Sequence, residues 1–132
     1  MEVGDPVLIT GATGFVGSQL VEALAARGVP IRALVRRPDR ARRLAELGAE
    51  QVPGDLGDEA ALARAVEGTS VVFHLAAATR ARSAREYEEA NAAGTRRLME
   101  AVRAARRPPR RVVYLSSLAA AGPSTDGRPV AP

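Results

Sequence analysis

The stretch LITGATGFVGSQLVEAL, residues 8–24, decides the fold of this chain. It places Gly11, Gly14 and Gly17 between a short apolar run and an amphipathic segment. This order predicts a strand, a glycine turn and a helix, which together open a βαβ unit. Free N–H groups and the dipole at the start of such a helix favour an anion, so the turn is a candidate phosphate site. The alternative is a flexible loop before an ordinary helix.

Each of the three glycines has its own expected role in a dinucleotide-binding turn. Gly11 allows the tight turn off the strand, Gly14 lets the backbone approach a diphosphate, and Gly17 lets the helix pack closely on the strand. The phosphates would then face the N–H groups near four residues: Thr13, Gly14, Phe15 and Val16.

The rest of the chain continues the alternation of apolar runs and amphipathic segments. Strands are predicted at residues 6–10, 30–37, 49–55, 70–77 and 110–117. Helices are predicted at residues 14–28, 39–48, 58–68 and about 84–106, with aspartates as N-caps of the second and third, Asp39 and Asp58. We therefore expect an α/β fold, a doubly wound parallel sheet of five strands in the Rossmann order 3-2-1-4-5, in one domain over residues 1–132.

Composition excludes several classes of protein. The net charge is +4, but all 19 basic residues are arginine, which we attribute to codon bias, and aromatic residues make up only 3%. Stacking platforms for bases are therefore scarce, and we expect no nucleic-acid partner. The chain has no cysteine and one histidine, which argues against a disulfide framework and a metal site. Without a long apolar run or a signal pattern, we expect a cytoplasmic protein with no membrane association.

The string TGATGFVG, residues 10–17, resembles the cofactor motif of the extended short-chain dehydrogenase/reductase family, also called the NAD-dependent epimerase/dehydratase family. The resemblance continues in chain order through ALVRRP (33–38), GDL (54–56), HLAA (74–77), NAAGTRRLMEA (91–101) and VVYLSSLAAAG (112–122). It implies a nicotinamide dinucleotide cofactor and an oxidoreductase, epimerase or dehydratase acting on a carbonyl or hydroxyl substrate. The alternative is a dinucleotide-binding sensor or scaffold without catalysis.

The end of the second predicted strand favours NADP over NAD. NAD-specific members of the family place an acidic residue where this chain has Val35, and Arg36 and Arg37 follow at once. A guanidinium pairs with a 2′-phosphate and stacks on adenine, whereas a carboxylate would repel that phosphate. The alternative is that these two arginines belong, with Arg40, Arg42 and Arg43, to a solvated helix face. We expect this of Arg42 and Arg43, and Arg36 is the best ligand candidate.

The resemblance implies roles for further residues. Asp55 would accept a hydrogen bond from the adenine amino group, and Leu56 would pack on the ring. The alternative is that Asp55 is an ordinary turn residue after the strand. Small or apolar residues at the end of the fourth strand would let the cofactor pass close to the backbone: Leu75, Ala76 and Ala77. His74 is interpreted as a packed strand residue, and Asn91 as structural or close to the active site.

The resemblance also places the catalytic serine at Ser117, where it would hydrogen-bond the substrate oxygen; the alternative is a polar strand ending. The general acid/base of the family is a tyrosine in a Tyr-x-x-x-Lys motif. This chain contains no lysine, and Tyr87 and Tyr114 both precede Ser117. We therefore expect an N-terminal part of a larger enzyme that does not turn over by itself.

A sheet that stops after the fifth strand should leave apolar surface uncovered. We expect exposure on the sheet beside that strand and on the apolar face of the fourth predicted helix. Such surfaces and open strand edges promote association, so we predict a homo-oligomer.

Overall fold

A parallel sheet of five strands forms the centre of the protein. The computed structural model describes residues 4–78 and 82–129, so the ends of the predicted domain, residues 1–3 and 130–132, lie outside the described residues. The strands are β1 (Val7–Thr10), β2 (Ile31–Val35), β3 (Glu50–Pro53), β4 (Val71–His74) and β5 (Arg111–Tyr114). Their order is β3-β2-β1-β4-β5 and every pairing is parallel, which confirms the predicted doubly wound sheet.

Each observed strand is shorter than its predicted run, mainly at the carboxyl end. β2 stops at Val35 instead of residue 37, and β4 stops at His74 instead of residue 77. The residues that follow leave the ladder because they form the rim of a cleft at this edge. Apolar residues continue past the end of β4 through Ala77, so periodicity alone placed that end too late, whereas the two residues predicted beyond β2 are Arg36 and Arg37.

The helices lie on both faces of the sheet. They are α1 (Phe15–Ala25), α2 (Arg42–Glu46), α3 (Glu59–Val66), α4 (Ala84–Tyr87) and α5 (Gly94–Ala104), with a π-helical segment, Glu88–Ala93, between α4 and α5. Short 3₁₀ turns occupy Pro38–Arg40 and Leu118–Ala121. None of the helices within residues 4–78 and 82–129 is long and apolar enough to cross a membrane.

The predicted caps had different outcomes. Asp58 caps α3, because its carboxylate accepts a 2.9 Å hydrogen bond from Ala61 N–H. The prediction that Asp39 caps the second helix is wrong. Asp39 lies in the 3₁₀ turn that Pro38 begins, its carboxylate pairs with Arg37, and α2 starts only after Ala41. Proline favours a tight first turn because its φ is already fixed, and this turn delays the helix.

Successive residues of β1 pack on opposite faces of the sheet. Ile9 packs with Val21 and Leu44 beneath α1 and α2, whereas Leu8 packs with Leu62 beneath α3 and α5. A strand buried on both faces reads as a continuous apolar run, as VLIT does. Both cores therefore meet at the strand that leads into the glycine turn.

The expectation of exposed apolar surface was correct for the sheet and wrong for the fourth predicted helix. Val113, Tyr114 and Leu115, in and after β5, are 39–54% exposed. The apolar face of α5 is covered instead, because Leu98 is fully buried against α3 and the sheet. The short α3 lies beside α5 and supplies the partner surface that periodicity could not reveal.

Candidate functional site

A cleft of about 990 Å³ opens at the carboxyl edge of the sheet, between the ends of β1 to β4 and the π segment. Most of the predicted cofactor residues line it: Gly11, Thr13, Gly14, Arg36, Arg37, Asp55, Leu56, Leu75, Ala76 and Ala77. The side chains of Phe15 and Val16 point to solvent and are 89% and 48% exposed. Gly17 is buried beneath the turn, so only the backbone of these last three residues could serve a ligand.

The glycine turn brings α1 into direct backbone contact with the end of β1. Gly11 has a φ of +76°, and a Cβ there would lie 2.7 Å from the backbone nitrogen of Ala76. A Cβ on Gly17 would overlap the carbonyl oxygen of Gly11. Gly14 differs, because a Cβ there would meet only that oxygen, at 3.3 Å, and would otherwise project into open space at the cleft.

The start of α1 is free to receive an anion. Its N-cap is Gly14, no side chain caps it, and its first turn holds no acidic residue. The first helical hydrogen bond runs from Ser18 N–H to Gly14 C=O, and no acceptor occurs among the described residues for the N–H groups of residues 15–17. These donors and the helix dipole suit a diphosphate, which a Gly14 side chain would obstruct.

Three arginines flank the cleft after β2: Arg36, Arg37 and Arg40. Arg37 pairs with Asp39 at 3.3 Å, whereas Arg36 and Arg40 have no ion pair within the described residues. Arg40, in the 3₁₀ turn, lines the cleft, although the sequence offered a solvated helix face as an alternative for it. Arg42 and Arg43 do lie on that face, since they pair with Glu46 and lie outside this cleft.

The next part of the cleft is formed by the turn after β3, beside the end of β2, where Gly54 N–H donates to Val35 C=O at 3.0 Å. Asp55 accepts a 2.7 Å hydrogen bond from Gly57 N–H, which fixes its carboxylate in an Asx turn. Leu56 packs against α5 at Gly94, where a Cβ would lie 3.0 Å from the Leu56 side chain. A hydrogen-bond acceptor, the Asp55 carboxylate, and an apolar side chain, Leu56, therefore lie next to each other in this part of the cleft.

His74 is a packed strand residue, as predicted, and its ring is hydrogen-bonded at both nitrogens. It is 1% exposed, with Nδ1 2.6 Å from Thr10 Oγ1 and Nε2 2.8 Å from Thr95 Oγ1. The Thr95 hydroxyl donates its single proton to Asn91 C=O at 2.6 Å. Nε2 must therefore carry the proton that Thr95 accepts, and Nδ1 accepts from Thr10. The ring also stacks on Tyr114 with centroids 5.4 Å apart.

The same network holds the chain segment after β4, which forms one wall of the cleft. Ala76 N–H donates to Thr10 Oγ1 at 3.3 Å. The Asn91 amide bonds the backbone of Ala78 twice, accepting at 2.7 Å and donating at 3.1 Å. Asn91 therefore has a structural role beside the cleft, and sequence alone showed neither partner of His74 because both lie far along the chain.

Ser117 lies beyond the end of β5 and outside the residues that line the cleft. Its hydroxyl accepts a 3.2 Å hydrogen bond from Ala119 N–H at the start of the 3₁₀ turn, and its side chain is exposed. This is the local bond expected of a polar strand ending. A catalytic role for Ser117 stays a prediction.

The structure adds lining residues that sequence analysis missed: Arg40, Gly54, Gly57, Ala78, Glu89, Ala90 and Arg97. Two of them, Glu89 and Ala90, belong to the π segment. An α-helical period misplaces side chains across a π segment, so no signal in the sequence brings these residues to the cleft.

Comparison with known proteins identifies relatives over nearly the whole chain. The NAD dependent epimerase/dehydratase family matches residues 7–131. The chain is 39% identical over 123 residues to the 4-hydroxy-2-methyl-3-oxo-4-farnesyl-3,4-dihydroquinoline-1-oxide ketoreductase of Stigmatella aurantiaca, covering 92% of this chain and 35% of the relative. It is 44% identical over 118 residues to the ceramide reductase of Caulobacter vibrioides, covering 89% and 36%.

A solved structure, MoeE5 in complex with UDP-glucose and NAD, matches with a TM-score of 0.74 and 37% identity. The match covers 91% of this chain and 39% of MoeE5. The chain thus spans little more than a third of the length of these relatives.

Replacing Gly17 should separate α1 from β1. Gly17→Ala is expected to lower the free energy of unfolding by about 1–3 kcal/mol, because its methyl group overlaps a backbone carbonyl that cannot move aside. Urea unfolding followed by circular dichroism measures the change. The matched control is Gly14→Ala, whose methyl group meets only the Gly11 carbonyl oxygen, at 3.3 Å, and should change stability much less. Equal stability of the two variants would contradict the close contact.

Lowering the pH should reduce the free energy of unfolding through protonation of His74. Burial lowers the pKa of its imidazole below the ordinary value of 6.5. The unfolded chain therefore binds this proton at a higher pH than the folded chain, and the free energy of unfolding falls as the pH drops below 6.5, by at most about 1.4 kcal/mol per pH unit.

Urea midpoints across this pH range, for the parent and His74→Gln, isolate the effect, because the carboxylates titrate in both proteins. Nuclear magnetic resonance of the ring gives a second readout that needs no variant, since the chain has one histidine. A ring pKa at or above 6.5 in the folded protein would overturn the assignment.

Proposed function

The chain belongs to the NAD-dependent epimerase/dehydratase family, and from this premise we propose that it binds a nicotinamide dinucleotide in the cleft at the carboxyl edge of its sheet. The observation that carries the proposal is the open start of α1, which faces the same cleft as Arg36 and Asp55. Open α/β sheets bind ligands at this edge, beyond the carboxyl ends of their strands.

The residues present fit each part of such a ligand. The N–H groups of residues 15–17 would hold the diphosphate, and Gly14 leaves room for it. Asp55 and Leu56 would receive the adenine, and the small side chains of Ala76 and Ala77 let the ribose and phosphates pass close to the backbone. When bound, the dinucleotide supplies or accepts a hydride.

The charge beside β2 favours NADP over NAD. Val35 is nearly fully buried and offers no carboxylate to a ribose 2′-hydroxyl. Arg36 and Arg40 line the cleft and have no ion pair among the described residues, so their guanidinium groups are available to a 2′-phosphate, and Arg37 stands between them. Charge-assisted hydrogen bonds of this kind are stronger than neutral ones.

The proposed activity of the whole protein is reduction, epimerisation or dehydration of a carbonyl or hydroxyl substrate. Support comes from the two similar reductases and from the family. Ser117 would hydrogen-bond the substrate oxygen. We further propose that residues 1–132 bind the cofactor without turnover, because they include no lysine to lower the pKa of a catalytic tyrosine. A sensor that only binds dinucleotide is the second candidate, and activity assays on any longer form of the protein distinguish the two.

Reversing the charge at position 36 tests the proposed preference for NADP over NAD. Arg36→Asp is expected to weaken NADPH binding about 10- to 100-fold and NADH binding far less, because a charge-assisted bond to the 2′-phosphate becomes a repulsion. Isothermal titration calorimetry of both cofactors measures the difference. Arg42→Asp makes the same charge change at the exposed start of α2, outside this cleft, and should alter neither affinity. Equal losses for NADPH and NADH would refute the preference for NADP.

The exposed side chains in and after β5 support self-association. Val113, Tyr114 and Leu115 leave apolar surface at an edge strand of the described sheet. We expect a dimer or larger assembly at high micromolar concentration, because open edges and apolar patches associate. Sedimentation equilibrium measures the mass, and Val113→Lys should shift the chain toward the monomer. A parent chain that stays monomeric at this concentration would exclude the assembly.

A further inference from the structure

The cleft contains an ion pair that the proposed cofactor contacts do not use. Arg97 Nη2 donates to Glu89 Oε1 at 2.7 Å, and both residues line the cleft. The Arg97 side chain is 28% exposed, well below the 60–88% of the arginines that pair at the surface around α2. Arg97 is therefore partly enclosed by the cleft.

The position of Arg97 follows from the packing of α5. It comes one turn after Gly94, on the same side of the helix. Gly94 has no side chain, and α5 there lies against Leu56, where a Cβ would be 3.0 Å away. The guanidinium group is thus placed at the end of the cleft formed by the turn after β3.

Glu89 fixes the direction of that group. The pair spans eight residues, twice the helical spacing of the exposed pair between Arg42 and Glu46. Glu89 belongs to the π segment, whose wider turn lies between it and α5. A guanidinium group carries five N–H donors, so this bond leaves others for a ligand.

The charges around Arg97 argue against a phosphate at this position. The hydrogen bond that Arg97 donates to Glu89, and then the charges of Glu89, Glu59 and Glu100, raise the pKa of the Arg97 guanidinium, so it stays a cation paired with a carboxylate. A phosphate would meet those carboxylates, whereas an uncharged aromatic base would not. Arg36 and Arg40 also line the cleft and have no ion pair within the described residues, so they suit a phosphate better than Arg97 does.

We propose that Arg97, oriented by Glu89, contacts the purine base of the bound dinucleotide and closes the base end of the cleft opposite Leu56. A guanidinium plane stacks on aromatic faces and donates to ring nitrogens, which an ammonium group does less well. Glu89 is a positioning residue that acts through Arg97. The inference rests on the proposed function, because it needs a dinucleotide in the cleft.

Calorimetric titration of the full chain with NADPH, NADH and ADP-ribose tests the inference. Arg97→Gln is expected to weaken all three by about 5- to 20-fold, the size of a partly desolvated cation–π contact. The NADPH to NADH ratio should not change, which separates this residue from Arg36. Arg96→Gln removes the same charge one residue earlier on the exposed side of α5 and should have no effect.

Two further variants separate base contact from charge and from stability. Arg97→Lys keeps the positive charge but loses the planar guanidinium group, so it should bind the three ligands as weakly as Arg97→Gln does. If lysine gives the affinity of the parent chain, the proposed stacking on the base is wrong. Glu89→Gln should give a smaller loss, and the double variant should bind no worse than Arg97→Gln alone, because the two residues act as one unit. Thermal midpoints should stay within a few degrees of the parent, since exposed ion pairs contribute little stability.

The outcomes distinguish the two proposals. If the parent chain binds none of the three ligands, the proposed function fails. If the parent binds and Arg97→Gln matches Arg96→Gln, only the contact with the base fails. If Arg97→Gln also reduces the salt dependence of binding, Arg97 acts on a phosphate, and the assignment to the base is wrong.

Discussion

The close contact between α1 and the end of β1 is the constraint on which the cleft depends. Gly17 lies directly over the Gly11 carbonyl, and no side chain of any size fits between them. This contact aims the first N–H groups of α1 at the carboxyl edge of the sheet instead of at a neighbouring loop. The left-handed backbone of Gly11 serves the same purpose, because it turns the chain sharply where Ala76 passes close by. The proposed anion site is therefore built from backbone N–H groups, and it depends on glycine at positions 11 and 17.

The hydrogen-bond network through His74 holds the second wall of the cleft in register with the first. Thr10 ends the strand that leads into the glycine turn, and Asn91 belongs to the π segment, so the ring of His74 links two elements that enclose the ligand space. The network has one consistent arrangement of protons, which needs a neutral ring. A buried network in which every polar group has a hydrogen-bond partner favours a single packing arrangement. Protonation of the His74 ring would disrupt this network, so we expect acid to destabilise the cleft.

The arginines that line the cleft differ in their ion pairs. Arg36 and Arg40 have none within the described residues, whereas Arg97, near Leu56, is paired with Glu89. This difference supports the proposed placement of a phosphate beside the first two and of an uncharged base beside Arg97. Arg42 and Arg43, outside the cleft, are paired with glutamates at the surface.

The sequence by itself determined the strands, their order and the glycine turn, because these follow from local features: apolar runs, glycine positions and the right-handed crossover. It also placed half of the residues that line the cleft, since parallel strands bring their carboxyl ends to one edge. Only the tertiary structure decided where strands end, that Asp39 belongs to a 3₁₀ turn, and that Arg40, Glu89 and Arg97 reach the cleft. These features depend on a proline-led turn, a π segment and contacts between residues far apart in the chain, and none of these leaves a periodic signal.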